Sequence, residues 1–457
     1  MQTKISTLNN FDSSRLNLLI RALVILIPLY FGLIYFGWVN IHIIISISAI
    51  VIVYAFFRQY VWVLALIAMP AIALGQIIFY EIKPGWIYEM SLSEVLVIFS
   101  AIIVFLYIFL DGKLEKIKID AVTALLFAYF LLSLYSLIWA DDFRAFIAGI
   151  KIITLSFLSY FIATNLIKSK KRLELFIISL AGLGLVLALQ TFYKFYQMGF
   201  SSRFFSDRSS ITIPVGAIAL SSAILAFLLP IIFSYCLKKT DNSRFIFWGI
   251  FILGFLAVGL SMGKAAIISL GLGLGYLFIK HKKNRIVLIL ILMYLFLIAF
   301  VFFGQYLEGL YDRMSRIITD PNTRFRITEL RIDWKIITNY FWFGVGAGQQ
   351  PLLYKKLIHP DYAQLVNNVF VQAFIDLGVI GFSLAVGLAG LIFSKIRNWL
   401  KQPGEKDLII LGLTAGLIAA FFNGLAEVTF FALPYAIVFW MTLGAFFSSR
   451  EEETINS

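Results

Sequence analysis

Apolar runs of about twenty residues recur along nearly the whole chain, and they fix its solvent as a lipid bilayer. Each run is long enough to cross a hydrocarbon core about 30 Å thick. Inside lipid every backbone polar group must pair within a helix or a closed barrel. Barrel strands would be about ten residues long and alternate in polarity, so these unbroken runs predict helices. Charged residues make up 14% of the 457 residues, against about a quarter in soluble globular chains. The runs fall at 18–38, 41–57, 60–80, 92–110, 121–140, 146–167, 173–196, 211–237, 245–261, 265–279, 286–303, 369–394, 408–423 and 429–447. The expected fold is an all-α polytopic membrane protein of about fourteen transmembrane helices, forming a single integral-membrane domain over 1–457 with no soluble domain and no internal repeat.

Short basic loops set the expected orientation. Lys113 to Lys118, Lys168 to Arg172, Lys238 to Arg244, Lys280 to Arg285 and Lys395 to Lys406 alternate consistently with the remaining loops. The positive-inside rule places them, with both termini, in the cytoplasm. The net charge of +13 is then largely a topology signal and calls for no nucleic acid. The single cysteine, Cys236, lies in an apolar run and excludes both an intrachain disulfide and a cysteine-based metal site. The polar start Met1–Ser14 leads into the run from Leu18 without a small-residue cleavage site, so a retained first helix is expected.

Positive charge on the opposite face runs against that topology rule. The long polar stretch 304–368 carries Arg313, Arg316, Arg324, Arg326 and Arg331, and other outer segments add Arg144, Arg203 and Arg208. A guanidinium stays charged at every relevant pH and binds phosphate oxygens bidentately. Such a set suits an anion such as a lipid-linked pyrophosphate, or else ion pairs with Asp207, Asp312, Asp320, Glu329 and Asp333 or contacts with lipid headgroups. Within the stretch, Ile327, Leu330, Trp334 and Ile337 recur at helical spacing, as in an amphipathic helix lying at the interface. Phe343-Gly-Val-Gly-Ala-Gly348 follows and reads as a tight turn.

Four further residues are candidates for chemistry. Lys264 sits between two apolar runs with almost no loop, where it either snorkels to the interface or faces a polar cavity. His359 lies in the outer stretch and has the pKa range of a general base. Asp376 and Glu427 fall near outer helix ends, as bases or as partners of arginine. There is no Walker loop, no nucleophile motif and no metal cluster; Gly271-Leu-Gly-Leu-Gly275 lies within an apolar run and reads as close helix packing.

Three stretches over residues 200–395 resemble the O-antigen ligase and O-antigen polymerase superfamily of bacterial membrane glycosyltransferases. Leu260-Ser-Met-Gly-Lys-Ala-Ala266 is similar to the family's Ser-Arg-Gly turn, with lysine for arginine. Arg331-Ile-Asp-Trp-Lys-Ile-Ile337, followed by Trp342-Phe-Gly-Val-Gly-Ala-Gly348, resembles its arginine–tryptophan helix and glycine-rich turn. Asn367-Asn-Val-Phe-Val-Gln-Ala-Phe-Ile-Asp-Leu-Gly-Val-Ile-Gly381 resembles the His-Asn-x-Tyr-Leu-x-x-x-x-Glu-x-Gly-x-x-Gly pattern that opens the next helix.

The resemblance implies a metal-independent glycosyltransferase of the bacterial cytoplasmic membrane with 304–368 as a large periplasmic loop. It would take a glycan from undecaprenyl pyrophosphate. Lys264 and Arg331 fall on catalytic positions, with His359 as a candidate base. Arg203, Arg208, Arg324, Arg326, Asn367, Asn368, Asp376 and Glu427 are expected to bind substrate. Asn367 stands where ligases carry their histidine and cannot accept a proton, which leaves His359, a carboxylate, or leaving-group stabilisation alone. That departure favours a polymerase of lipid-linked repeat units into O-antigen, capsule or exopolysaccharide over a ligase acting on lipid A-core. A flippase or transporter is the rival of another class, and the charge gathered at one face speaks against it. The expected partners are an undecaprenyl-pyrophosphate-linked glycan, an acceptor glycan and membrane lipid, with a chain-length regulator protein as a further candidate. No cofactor, metal or nucleic acid is expected.

Overall fold

A computed structural model describes residues 60–83, 86–111, 117–199, 211–281, 293, 321–358, 365–401 and 407–456. The runs expected to span at 18–38, 41–57 and, apart from Met293, 286–303 lie outside these residues, as do Arg203, Arg208, Arg313, Arg316 and His359. The helices are α1 (Val61–Ala71), α2 (Leu92–Asp111), α3 (Ala121–Tyr135), α4 (Phe143–Leu166), α5 (Lys170–Gln197), α6 (Ile218–Lys238), α7 (Arg244–Ser261) and α8 (Lys264–Lys280). They continue as α9 (Pro321–Asn339), α10 (Gln350–Leu357), α11 (Val369–Lys401), α12 (Leu408–Ala426) and α13 (Leu433–Asn456). Seven of the described helices, α3 to α7, α11 and α12, are long and apolar enough to cross a membrane, and α1, α2 and α13 contribute shorter apolar segments.

Packing centres on α6, whose spanning window is 89% buried. It touches α5, α7, α8 and α12, while α13 lies against α4 and α3 against α11. Small residues allow the close approach of α8. A Cβ on Gly273 would stand 2.7 Å from the Ala415 carbonyl of α12, whereas one on Gly271 or Gly275 would meet nothing within 4 Å, so the close helix packing expected of the glycine run falls on its middle glycine alone. Cys236 is a free, buried thiol.

One expected span is different in kind. The run at 60–80 stops as helix at Ala71, continues as a 3-10 turn to Leu74, and enters an antiparallel hairpin, β1 (Gln76–Lys83) with β2 (Trp86–Ser91). Ile77, Ile78, Phe79 and Tyr80 are β-branched and aromatic, and a short apolar run of that kind serves a strand as readily as a helix. The hairpin feeds α2 through a capping box: Glu94 N–H donates to Ser91 Oγ and Ser91 N–H to Glu94 Oε1, each at 3.2 Å. The outer carboxylate oxygen of Glu94 pairs with Lys151 Nζ of α4 at 2.6 Å, placing a buried counter-charge beside a lysine inside a spanning helix.

The helices alternate in direction and give the bundle two chemically distinct ends. One collects Lys168, Lys170 to Arg172, Lys238, Lys239, Arg244, Lys280 and Lys395. Here Asp120 caps α3 through Thr123 N–H, accepts from Tyr160 Oη, both at 2.8 Å, and meets Lys395 Nζ of α11 at 2.5 Å. The other end carries α9, α10 and the start of α11.

Candidate functional site

The turn between α9 and α10 is bolted to the bundle by backbone bonds. Val345 N–H donates to Ile375 O and Gly346 N–H to Asp376 O, both at 2.9 Å, while Val379 N–H donates to Phe341 O at 2.8 Å. These acceptors and donors are available because α11 breaks at Leu377 and Gly378, which leave helical backbone angles. Gly344 has φ +68°, and a Cβ there would lie 2.5 Å from the Asp376 backbone. Only glycine fits such a left-handed, crowded position. On its far side the turn is tied to α3 and α4: Ala347 N–H donates to Ser136 Oγ at 3.0 Å, and the Gln349 amide exchanges two bonds with the Asp142 backbone at 2.8 and 2.9 Å.

That anchoring fixes how α9 presents its faces. Ile327, Leu330 and Trp334 are exposed, as expected for a helix at an interface. The buried face is Glu329, Asp333 and Ile336, spaced four and three residues apart. Glu329 Oε2 accepts from Asn367 Nδ2 at 3.1 Å. Asp333 Oδ1 accepts from the buried Tyr354 hydroxyl of α10, while Oδ2 has no hydrogen-bond partner among the described residues. Burial pushes the Asp333 carboxyl up to about 6; the Tyr354 bond opposes the shift and neighbouring Glu329 adds to it. In the sequence both acids stand only as alternative ion-pair partners for the loop arginines, should those not bind an anion. Their i, i+4 spacing was the available signal for a shared face, but the apolar stripe on the opposite side dominates the pattern.

The other expected site residues separate into groups. Arg326 donates to the Ala426 carbonyl at 3.0 Å and to Glu427 Oε1 at 2.9 Å, so these two candidates are partners at the exposed C-terminus of α12. Asn368 caps α11 by accepting from Phe370 and Val371 N–H at 2.9 and 3.1 Å, and it donates to Leu425 O at 3.1 Å. Asp376 is buried at the helix break. Arg331 is exposed on α9, and the side chain of Arg324 lies outside the described residues. Lys264 is half-buried as the first residue of α8, after a sharp turn in which Met262 takes a left-handed φ of 47°. The unpaired N–H groups of a helix N-terminus favour an anion, and so does the ammonium beside them. Arg326, Glu427, Asn367, Glu329 and Asn368 therefore form one connected patch with the α9 face.

An apolar hollow of about 140 Å³ opens beside that patch. Its walls include Tyr129, Ile153, Phe370, Leu388, Phe421 and Phe430. Phe370 follows the Asn368 cap, and Phe430 stands three residues after Glu427. Among the described residues no group of three or more His, Cys, Asp or Glu is placed to hold a metal ion.

Apolar spans, a break in a long helix and a polar assembly at one bundle end are those of a helical membrane protein with a candidate site at one end of the bundle. Residues 249–386, from α7 into α11, match the family model described as O-antigen ligase, so this segment is similar to that family. Members of that family are glycosyltransferase-like enzymes and include both ligases and polymerases. The matched segment contains Lys264, Glu329, Arg331, Asp333, Asn367 and Asp376. No curated protein matches the chain.

Proposed function

We propose that the protein is a glycan polymerase of the bacterial cytoplasmic membrane, with its basic bundle end in the cytoplasm and α9 on the periplasmic side. Its donor is a growing chain on undecaprenyl pyrophosphate and its acceptor a lipid-linked repeat unit. The observation that carries this reading is the meeting of α9, the start of α11 and the apolar hollow at one end of the bundle. The hollow receives part of the prenyl chain. Lys264 at its helix N-terminus, together with Arg331, Arg324, Arg203 and Arg208, holds the pyrophosphate, and preorganised charge of this kind lowers a barrier by on the order of 3 kcal/mol per well-placed donor.

The acceptor hydroxyl oxygen attacks the anomeric carbon of the donor sugar and forms the new glycosidic bond. The bond from that carbon to the pyrophosphate breaks, and its electron pair leaves with the pyrophosphate. The hydroxyl proton passes to the Glu329–Asp333 pair, which stands beside Asn367 and supplies the proton acceptor that asparagine cannot. His359 is the other candidate for this proton.

The test mixes purified protein with an undecaprenyl-pyrophosphate-linked repeat unit, with no metal added, and resolves lipid-linked products by size. A ladder supports the polymerase. A single transfer that requires lipid A-core identifies a ligase instead. Unchanged turnover in folded Lys264→Ala and Arg331→Ala proteins would remove the anion-site assignment.

A further inference from the structure

A second, wider groove lies on the other side of the glycine-rich turn, and the chemistry above does not use it. Its volume is about 910 Å³, within the range of roughly 300–1,000 Å³ typical of small-ligand sites. One wall is the end of α3 and the start of α4, with Tyr135, Trp139 and Asp141. The other is the turn after α9 and the outer face of α10, with Trp342, Lys355 and Lys356.

The walls are fixed by the bolted turn, and at its base Trp139 meets Phe343 with ring centroids 5.7 Å apart. Ser136, Asp142 and the α11 break all bond to residues 345–349, so the opening is preformed. Tyr135 and Trp139 meet edge to face at 5.5 Å, yet Tyr135 remains 57% exposed and Trp342 66% exposed. Asp141, Lys355 and Lys356 are exposed around these rings. Flat aromatic faces match the C–H patches of pyranose rings. A carboxylate accepts from sugar hydroxyls, and ammonium groups donate to them. A lipid tail would use the rings but leave Asp141 and both lysines facing hydrocarbon, which is costly. The concave shape and the mixture of donor and acceptor charge favour a hydrated, many-hydroxyl ligand over an interfacial aromatic anchor.

We propose that this groove is an oligosaccharide subsite, in which sugar rings stack on Tyr135, Trp139 and Trp342 while Asp141, Lys355 and Lys356 engage the hydroxyls. The assignment of its occupant as the acceptor glycan rests on the glycosyl-transfer reading; the binding itself does not. The probe is the lipid-free repeat-unit oligosaccharide released by mild acid from the surface polysaccharide of the source cell. It is titrated into the full-length protein in detergent and followed by tryptophan fluorescence and by calorimetry.

Saturable binding is expected, with Trp342→Ala and Asp141→Asn each raising Kd tenfold or more and Phe245→Ala, at the opposite bundle end, leaving it unchanged. Absence of saturable binding overturns the proposal, and so does equal affinity in wild type and both groove variants. A fluorescence response to phosphatidylglycerol vesicles but not to the oligosaccharide assigns the rings to membrane anchoring and likewise overturns it. The two readings fail separately. Oligosaccharide binding without any lipid-linked product sinks the polymerase and spares the groove. Product formation with the same acceptor half-saturation in Trp342→Ala spares the polymerase and sinks the groove as its acceptor site.

Discussion

At the basic end of the bundle Asp120 is surrounded by donors; at the opposite end Asp333 has one donor and an oxygen to spare. Both carboxyls are removed from water, and removal from water alone raises a carboxyl pKa. For Asp120 the burial effect is outweighed by hydrogen bonds from Lys395, Thr123 and Tyr160, and the group is held below its ordinary value. For Asp333 burial wins, the single Tyr354 bond cannot offset it, and Glu329 pushes in the same direction. Identical chemistry thus locks α3, α4 and α11 together at one end and at the other leaves a carboxyl held above its ordinary value. The difference lies in the partners each fold position supplies, not in depth of burial.

The strongest way to break this contrast is at Asp333. Asp333→Asn should lower turnover by roughly 10²–10⁴, the usual contribution of a positioned acid or base, while the protein stays folded. Polymerisation assays beside thermal unfolding check this, and full activity in the variant would end the contrast. The reverse experiment is Lys395→Ala. It leaves Asp120 buried without its cation, and the loss should lie toward the lower end of about 3–5 kcal/mol, because Tyr160 and Thr123 remain. Denaturant unfolding measures it, and the expected change in turnover per folded molecule is small.

The pH dependence sharpens the comparison further. Asp120 has a lowered pKa, so its stabilisation is present above the ordinary carboxylate range and disappears as pH falls through the lowered value. Asp333 has a raised one, near about 6. Its contribution to stability is full below the ordinary carboxylate range and is lost as pH rises through about 6, where the buried group ionises. Turnover should therefore climb as pH rises through about 6, and Asp333→Asn should abolish that limb. The smallest effect belongs to Arg326→Ala. Its bond to Glu427 is exposed, and exposed pairs contribute about 1 kcal/mol or less. A larger loss of turnover than of stability there would assign Arg326 to the substrate.

Much of the architecture was legible from apolar run length. The runs at 146–167 and 173–196 match α4 and α5 to within a few residues, because a bilayer imposes helix on any segment that long. The β1–β2 hairpin was not legible, since the same apolar residues suit either element when the run is short. In the site, the glycine-rich turn could be read from its glycines, but its strap onto α11 could not. The break at Leu377 and Gly378 joins segments about thirty residues apart, and sequence spacing does not report such docking. The inward turn of Glu329 and Asp333 was hidden for a related reason. Acids on an otherwise cationic loop look like surface ion pairs until the opposite face of the helix is seen to be the outer one.

The interruption of α11 also bears on where in the bilayer such a reaction can take place. An unbroken helix of its 33 residues would reach about 50 Å at 1.5 Å per residue, well beyond a hydrocarbon thickness of about 30 Å. Stopping the regular geometry at Leu377 leaves a following segment of roughly 35 Å, which fits that thickness with its ends in the headgroups. The eight residues before it become a separate segment. In the proposed polymerase that segment would form a ledge at the water boundary and meet the phosphates of a prenyl-tethered donor without lifting the tail out of the membrane or drawing charge down into it.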